Sequence, residues 1–327
     1  MAALRWSAAA LTASSGSGCG SVHAKSVIER SQHQPATSFL PLWITVRDQE
    51  GHGLRRVRRN VQGRVHVDTR SDRGVILLIH GLWFRSSVWT PWLQELDEAG
   101  YDAVVLSWSG EDRPSDTGPL AAEPDFGALL RTARRHAETF QPRPIVIGHG
   151  VGGVVAERLV TEGDAVAAIS LAPVPGGYAS VPAAAHVLSR SPHLARLGLH
   201  GSAVAPTYPQ FRRAIVNAST DAEAQDFYER YITAGKPRDI VLHAVRHRVP
   251  EGSRRPQRGP LLLAVGGKDE LVRETGIALL HRTYRKRQPD AITDYKVFVG
   301  MDHTLGLGTQ DMGVLFYCLD WLTAHNM

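Results

Sequence analysis

The feature that most constrains the fold is a set of short apolar runs, which recur along the chain with helical patterns between them. The clearest are "GVILLIH" (74–80), "PIVIGH" (144–149), "AVAAISLAP" (165–173) and "PLLLAVGG" (260–267). Runs of this length without alternating polar residues are typical of strands buried on both faces. The segment 125–140 repeats apolar residues at helical spacing. Strands that alternate with helices predict an α/β fold, in which a mainly parallel sheet has helices on both faces.

Weaker patterns predict further strands and helices of the same fold. The segments "FLPLWITVRD" (39–48) and "GRVHVDT" (63–69) alternate well enough to be opening antiparallel strands. The patterns also predict strands over 101–108 and 291–300, and helices over 90–99, 153–163, 270–286 and 312–325. We expect Thr90 to be the N-cap of the first of these helices.

The domain organisation follows from where this regularity holds. Residues 1–37 are rich in Ser, Gly and Ala and are predicted to be a disordered tail. Residues 38–327 are predicted to form one domain, interrupted over about 176–258 by a Pro-, Ala-, His- and Arg-rich stretch with helical fragments. Ligands bind at the carboxyl ends of the strands in sheets of this kind, so we expect the stretch to be a helical lid over that edge.

Composition restricts the classes of binding partner and the cellular compartment that we expect for this chain. The net charge is +5, but the basic runs at 54–60, 254–258 and 282–287 lack interleaved aromatic residues, so we interpret them as solvated surface and expect no nucleic-acid partner. No apolar run approaches the roughly 20 residues of a membrane span. The two cysteines, Cys19 and Cys318, predict no structural disulfide and favour the cytoplasm, with a weak N-terminal secretory signal as the alternative.

The most distinctive turn lies in "RPIVIGHGVGGVVAERL" (143–159), where a predicted buried strand runs through glycines into a helix. The turn lacks the Lys-Ser/Thr pair of a phosphate-binding P-loop. Its glycines fit G-x-G-x-x-G, but they lie in mid-chain, whereas a dinucleotide-binding turn is expected early. The histidines do not fall at ligand spacings with cysteines or carboxylates, so we predict neither a cofactor nor a metal site.

Four segments together resemble the α/β-hydrolase superfamily over roughly residues 39–326. They are "IHGLW" (79–83), "GHGVGG" (148–153), "GGKDELV" (266–272) and "GMDHTLGL" (300–307), and each follows a predicted strand. Their order matches the nucleophile, acid and histidine order of the superfamily. The resemblance implies that Asp269 and His303 are the acid and the base. It further implies that the backbone amides of Leu82 and Val151 form the oxyanion hole, and that Gly150 stands where the nucleophile would be.

The predicted acid–base pair has a physical rationale and a simpler alternative. A triad needs an imidazole that moves a proton and a carboxylate that fixes its tautomer. His303 lies in a loop after a strand, where we expect an exposed and mobile imidazole, and Asp269 lies at a strand end. The alternatives are a surface histidine for His303 and the N-cap of the helix from residue 270 for Asp269. We expect His80 to shape its loop and His149 to be structural.

Gly150 is the departure from the superfamily pattern. Without a hydroxyl group no acyl-enzyme can form at this position, whereas oxyanion donors that are backbone amides are retained. Glycine also relieves a strained turn that costs about 1–3 kcal/mol in other residues. Candidate replacement serines are Ser86, Ser87, Ser107 and Ser109, none of them in such a turn, and candidate substitute acids are Glu111 and Asp112, which we interpret as exposed loop charges.

Three functional hypotheses remain open on the sequence. The favoured one is non-covalent acid–base chemistry by His303 and Asp269 on a small, apolar, carbonyl-bearing molecule, either water-mediated hydrolysis or proton transfer of the lyase, isomerase or cyclase type. The second is a non-catalytic protein that binds a small ligand. The third is that Gly150 is a nucleophile knockout of a serine esterase, lipase or amidase.

Overall fold

The structure is a computed structural model that describes residues 43–47, 54–59, 65–67, 73–108, 126–176, 204–235, 246, 249 and 258–327. The chain divides into two units, residues 1–69 and 70–327. The predicted tail, residues 1–37, lies outside the described residues, and the predicted domain boundary at residue 38 remains a prediction.

The first unit contains a three-stranded antiparallel sheet. Its strands are β1 (Trp43–Arg47), β2 (Leu54–Arg59) and β3 (Val65–Val67), in the order β1-β2-β3. The register places Ile44 opposite Val57. Our interpretation of 54–60 as a basic surface run missed β2, because four of its six residues are arginines and hide the apolar alternation. Ladder hydrogen bonds join backbone groups, so an arginine-rich segment can still pair.

The second unit contains a six-stranded parallel sheet, as the buried runs predicted. Its strands are β4 (Val75–Ile79), β5 (Asp102–Leu106), β6 (Ile145–His149), β7 (Ala167–Leu171), β8 (Leu261–Gly266) and β9 (Thr293–Phe298). The order across the sheet is β5-β4-β6-β7-β8-β9, and each neighbouring pair is parallel. Every residue of β6, β7 and β8 is buried, which explains why their sequences are mainly apolar.

Helices cover both faces of this sheet. In chain order the described helices are α1 (Thr90–Glu98), α2 (Phe126–Glu138), α3 (Val151–Glu162), α4 (Tyr208–Ala214), α5 (Asp221–Tyr231), α6 (Glu274–Arg287) and α7 (Gly313–Ala324). Of these, α4 and α5 lie in the segment between β7 and β8, and the others flank the sheet. Alternate residues of β4 enter two separate cores: Ile76 and Leu78 join one, and Leu77 and Ile79 join the other. The prediction of a parallel sheet with helices on both faces is confirmed.

The start of α1 differs from the prediction. A 3₁₀ turn over Ser86–Trp89 runs directly into the helix, so Trp89 is the N-cap and Thr90 is the first helical residue. The carbonyl oxygen of Ser87 in this turn accepts the amide of Thr90. Among the described helices, none is both long and apolar enough to cross a membrane.

Part of the predicted lid is described, and we call residues 204–235 the cap. It consists of α4 and α5, each beginning with a capping box, at Thr207 with Gln210 and at Thr220 with Glu223. An antiparallel bridge between Val204 and Gly235 closes its two ends. The cap is helical, as the sequence predicted, while its role as a lid remains a prediction.

Candidate functional site

The turn between β6 and α3 places Gly150 at the carboxyl edge of the sheet. Its φ of 56° and ψ of −114° lie where a residue with a side chain is strained. The amide of Gly150 donates a 2.8 Å hydrogen bond to the carbonyl oxygen of Leu171 on β7. We call this turn between β6 and α3 the elbow. A backbone hydrogen bond to the neighbouring strand holds it, and no side chain of residue 150 is involved.

Glycine is required at positions 148 and 152 for a different reason, which is close packing. A Cβ atom at Gly148 would lie 2.0 Å from the carbonyl oxygen of Gly152, and one at Gly152 would lie 2.2 Å from that of Ile79. Both distances are impossible for a real side chain, so these glycines let α3 approach β4 and β6. A Cβ atom at Gly150 would instead lie 3.6 Å from the Cα of Gly81 and 4.0 Å from Nε2 of His303. Gly150 thus has room for a small side chain, and His303 faces that room.

The two predicted acid–base residues are brought together. Nδ1 of His303 donates to Oδ2 of Asp269 at 2.8 Å. The other carboxylate oxygen of Asp269 accepts the amides of Leu271 at 2.8 Å and Val272 at 2.7 Å. The Asp269 side chain is fully buried. These bonds fix the carboxylate, which in turn fixes the imidazole tautomer with Nε2 turned to Gly150.

The structure excludes the alternative interpretations of Asp269 and His303. Asp269 is not the N-cap of a helix, because α6 begins at Glu274 with Arg273 as its N-cap. His303 is not a surface histidine, and our expectation that its imidazole is exposed is wrong, since only 5% of the residue is exposed. The segment 269–272 forms a turn around the Asp269 carboxylate instead of the first turn of the helix.

Asp302 connects the His303 loop to the cap by hydrogen bonds. Its Oδ1 accepts the amide of Thr304 at 3.1 Å and the hydroxyl of Thr304 at 2.7 Å, and its Oδ2 accepts the amide of Ala218 in the cap at 3.0 Å. The neighbouring Asn217 donates from Nδ2 to the carbonyl oxygen of Lys268 at 2.9 Å. The connection between α4 and α5 therefore binds both the loop of the acid and the loop of the base.

Neither Asp302 nor Asn217 was predicted from the sequence to be part of the site. The spacing of Asp302 and Thr304 is typical of a turn in which a carboxylate binds the backbone two residues on, and this signal was available. Nothing in the sequence pairs Asn217 with Lys268, because their contact joins segments that are distant in the chain.

The cap also binds the loop that carries Leu82. The amide of Thr233 donates to the carbonyl oxygen of Trp83 at 2.8 Å, and the indole Nε1 of Trp83 donates to the carbonyl oxygen of Val204 at 2.9 Å. Trp83 has a φ of 68°, which is uncommon for a residue with a side chain. These contacts hold Trp83 in that conformation and thereby set the direction of the backbone next to Leu82.

The predicted oxyanion donors are backbone amides without competing acceptors. Val151 is the first residue of α3, where an amide has no partner inside the helix. Within the described ranges, neither the Leu82 amide nor the Val151 amide donates to another group of the protein. Such amides can stabilise an oxygen that develops negative charge.

His149 lies beside the acid–base pair but is held neutral. Its Nε2 donates to the carbonyl oxygen of His303 at 2.8 Å, and its ring stacks on Phe84 with centroids 5.1 Å apart. Burial is the main cause that lowers the pKa of His149, to about 3, and the nearby His303 is the second. A neutral imidazole that is used as a donor and a packing surface fits a structural role.

His80 is likewise buried in its own loop. Its Nδ1 donates to the carbonyl oxygen of Gly81 at 3.0 Å, and its ring stacks on Trp108 with centroids 5.0 Å apart. The indole of Trp108 donates to the carbonyl oxygen of His80 at 3.1 Å. These contacts fit a residue that shapes the turn before Leu82.

The structure describes only some of the other candidates. Ser86 and Ser87 lie in the 3₁₀ turn and Ser107 is exposed, whereas Ser109, Glu111 and Asp112 lie outside the described residues. Across the described part of the chain, no three His, Cys, Asp or Glu side chains are grouped so that they could hold a metal ion.

Comparisons with known proteins agree with this architecture. A model of the alpha/beta hydrolase family matches residues 76–312. Similar solved structures are a soluble variant of monoglyceride lipase from Saccharomyces cerevisiae (14% identity, 89% of this chain and 97% of that one, TM-score 0.60) and monoacylglycerol lipase from Paleococcus ferrophilus (18%, 78% and 95%, 0.54). A third is a variant of tomato methylketone synthase I (12%, 79% and 100%, 0.58).

A search of curated protein sequences finds no match. The family model nevertheless covers more than half of the chain, and it includes Gly150, Asp269 and His303. The solved structures share the fold at low sequence identity. The chain therefore belongs to the alpha/beta hydrolase family.

Proposed function

We propose that this protein carries out non-covalent acid–base chemistry on a small carbonyl-bearing molecule, with His303 as the base and Asp269 as its partner. The observation that carries the proposal is the 4.0 Å between Nε2 of His303 and the position of a Cβ atom at Gly150. An imidazole whose Nδ1 is held by a buried carboxylate has its proton-accepting nitrogen turned to a space without a nucleophile.

Two reactions fit this arrangement. In the first, Nε2 of His303 takes a proton from the carbon next to a carbonyl group, and the electron pair moves onto the carbonyl oxygen, where the Leu82 and Val151 amides stabilise the enolate. Nε2 of His303 then returns a proton, either the same one or one exchanged with solvent, to the original carbon or to another atom of the enolate, and the electron pair moves back from the oxygen. In the second, Nε2 takes a proton from a water molecule beside Gly150, the hydroxide attacks the carbonyl carbon, and the proton passes to the leaving oxygen.

The relatives support carbonyl compounds as the substrate class without identifying one. The similar structures include lipases and esterases, which act on esters, and a tomato methylketone synthase bound to 2-tridecanone. Another structure of that synthase, a histidine-to-alanine variant, contains β-ketoheptanoate. The fold thus occurs in enzymes named for esters and in a protein that binds a ketone and a keto acid, and we extend this range of carbonyl compounds to the present pocket.

The test compares the native chain with His303→Ala, Gly150→Ser and the exposed-surface control His136→Ala. Proton transfer is followed by NMR as solvent-deuterium exchange at the carbon next to the carbonyl group of small ketones, and hydrolysis is followed on esters of short and medium acyl chains. We expect one of these activities in the native chain, and we expect His303→Ala to lower it by about 10²–10⁴-fold, as for loss of a general base. His136→Ala should retain it.

Gly150→Ser separates the remaining outcomes. Ester hydrolysis that appears only in this variant would show that the acid–base pair and the oxyanion donors are competent while the native chain does not hydrolyse esters. If neither native chain nor variant turns over any of these compounds, the catalytic proposal fails and a ligand-binding protein becomes the better description.

A further inference from the structure

The strand β9 lies at an edge of the parallel sheet, where it pairs with β8 on one side. The amides of the first residue of β8 and of the residue after β8 donate to the carbonyl oxygens of Ile292 and Phe298. Backbone groups of successive residues in a strand point to opposite sides. The amides and carbonyl groups of Thr293, Tyr295 and Val297 therefore point away from β8, towards the outside of the sheet.

These outward backbone groups can accept a further strand. The carbonyl oxygen of Thr293 accepts Nε2 of His281 at 3.1 Å, and it retains a second lone pair. In the part of the chain that the structure describes, the backbone groups of Tyr295 and Val297 have no partner. A row of such groups is a template for pairing with another strand.

Exposed apolar side chains border the same edge. Among the described residues, the large apolar side chains that are exposed are those of Ile292, Val299 and Phe316. Ile292 and Val299 flank β9 directly. Phe316 belongs to α7 and precedes Tyr317, whose ring contacts that of Phe298 with centroids 5.4 Å apart. The concentration of exposed apolar residues around one strand is typical of an interaction surface.

Two opposite charges lie in the middle of β9. Asp294 and Lys296 are two positions apart, so they share the face of the strand that packs on α7. Asp294 accepts Nε1 of Trp321 at 2.8 Å and Nε2 of His325 at 3.1 Å, and 44% of its side chain is exposed. Nζ of Lys296 lies 4.5 Å from the centroid of the Tyr317 ring. Both charges lie within reach of a strand that pairs with β9.

We propose that β9 pairs with β9 of a second copy of this chain, antiparallel about a two-fold axis at Tyr295, so that the two sheets become continuous. A two-fold axis presents the same strand of both copies to each other in opposite directions. Tyr295 of one copy then faces Tyr295 of the other as a hydrogen-bonded pair, and Thr293 of each copy faces Val297 of the other.

The charges select this register. With the axis at Tyr295, Asp294 of each copy lies opposite Lys296 of the other, in the pairs without hydrogen bonds, where side chains approach most closely. Ile292 of each copy then lies opposite Phe298 of the other. An axis at Asp294 would instead place two carboxylates opposite each other, and an axis at Lys296 would do so with two ammonium groups. Like charges in these positions destabilise a strand pair.

The complementary charges also favour a second copy over an unrelated strand as the partner. A lysine at the edge of a sheet commonly serves to prevent pairing. On β9, however, Lys296 is matched by Asp294, so a second β9 brings the opposite charge to each of these positions. An unrelated strand does not carry this pattern.

The experiment measures the mass of the full chain in solution by sedimentation over a range of concentrations. We expect about twice the mass of the single chain at about 0.1 mM, with dissociation on dilution. Lys296→Glu places a carboxylate opposite Asp294 in both pairs, so the Kd of the dimer should rise at least about 10-fold. Arg131→Glu makes the same charge change at an exposed position of α2 and should leave the Kd unchanged. A native chain with the mass of a single copy at this concentration would overturn the inference.

A mixture of two variants tests the register itself. Asp294→Lys places two positive charges opposite each other in both pairs, so this variant should also pair weakly with itself. Mixed with Lys296→Glu, it brings opposite charges together in both pairs. With one variant carrying a fluorophore, sedimentation should show a mixed dimer that binds at least about 10-fold more tightly than either variant binds itself. Two folded variants that form no mixed dimer would refute this register.

Hydrogen exchange by NMR in the native chain gives a readout that does not depend on the folding of Asp294→Lys. The amides of Tyr295 and Val297 should exchange more slowly as the protein concentration rises, because pairing covers them. The amides of Ala103 and Val105 on β5, the opposite edge strand, are the control and should show no such change. A dimer whose formation leaves exchange at Tyr295 and Val297 unchanged would place the interface elsewhere and contradict the inference.

Discussion

At the residue scale, backbone energetics and chemistry make opposite demands on position 150. The φ of 56° and ψ of −114° favour glycine, whereas covalent catalysis would require a residue with a hydroxyl group. Enzymes that place a side chain in such a conformation accept the strain for the sake of the reaction. With glycine the strain is absent, and the surrounding contacts of the elbow are retained.

Gly150→Ala tests this account of strain without adding a reactive group. The added Cβ atom would make only ordinary contacts, at 3.6 Å and 4.0 Å, so any destabilisation must come from the backbone conformation. We expect the free energy of unfolding in urea to fall by about 1–3 kcal/mol. The control is Gly300→Ala, where a Cβ atom meets nothing within 4 Å and φ is not in the left-handed region. Equal stability of the two variants would contradict the strain account.

At the scale of elements, the cap is attached to all three loops that carry the candidate site. It binds the loop of Leu82 through Trp83, the loop of Asp269 through Lys268, and the loop of His303 through Asp302. Loops at the end of a parallel sheet are held only at their strand ends, so they need such contacts to keep a fixed geometry. The cap therefore helps to position Asp269, His303 and the backbone next to Leu82.

Asp302→Ala should break this attachment on the side of His303. The variant leaves the amides of Thr304 and Ala218 without their acceptor, and we expect a loss of about 2–3 kcal/mol in the free energy of unfolding. Hydrogen exchange of the Ala218 amide should accelerate beyond what the global loss of stability explains. Asp320→Ala, at an exposed position of α7, is the control and should change stability by less than about 0.5 kcal/mol. Unchanged exchange at Ala218 would argue against the attachment.

At the scale of the whole molecule, hydrogen bonds of one buried carboxyl group join α3 to the sheet and to α6. Glu157 of α3 accepts the hydroxyl of Ser170 on β7 at 2.9 Å and that of Tyr284 on α6 at 2.8 Å. Burial raises the pKa of Glu157 to about 7, although both hydrogen bonds favour the charged form. One carboxyl group thus makes the stability of the entire second unit depend on pH.

The sign of this dependence follows from linkage. Between pH 4.5 and about 7 the unfolded chain ionises Glu157 while the native chain keeps it protonated, so stability falls as pH rises through this window and then levels off. Glu157→Gln imitates the neutral form and removes the dependence. The unfolding free energy of the variant relative to the native chain should rise by about 3 kcal/mol from pH 4.5 to pH 8.

Urea unfolding at several pH values measures that difference. The effect of His149, whose pKa is lowered to about 3, is shared by the native chain and the variant, so it cancels in the comparison. Glu138→Gln, at an exposed position of α2, is the control and should show no change with pH beyond about 0.5 kcal/mol. A constant difference between Glu157→Gln and the native chain across this range would contradict the raised pKa.

The sequence by itself determined the elements and the places where chemistry could lie. Apolar runs such as 144–149 predict buried strands because burial on both faces excludes polar residues, and the carboxyl ends of parallel strands share one edge. Local patterns therefore predicted that Gly150, Asp269 and His303 lie at the same edge of the sheet. They failed at β2, where arginines hide the strand, and at the start of α6, where the Asp269 turn delays the helix.

Only the tertiary structure decided how these residues face one another. The 4.0 Å between Nε2 of His303 and the position of a side chain at Gly150, and the attachment of Asp302 to Ala218, join segments that no local pattern connects. The burial of His303 likewise comes from the packing of a distant part of the chain against its loop. Periodicity reports which face of an element is buried, whereas the distance between two side chains depends on how the whole chain packs.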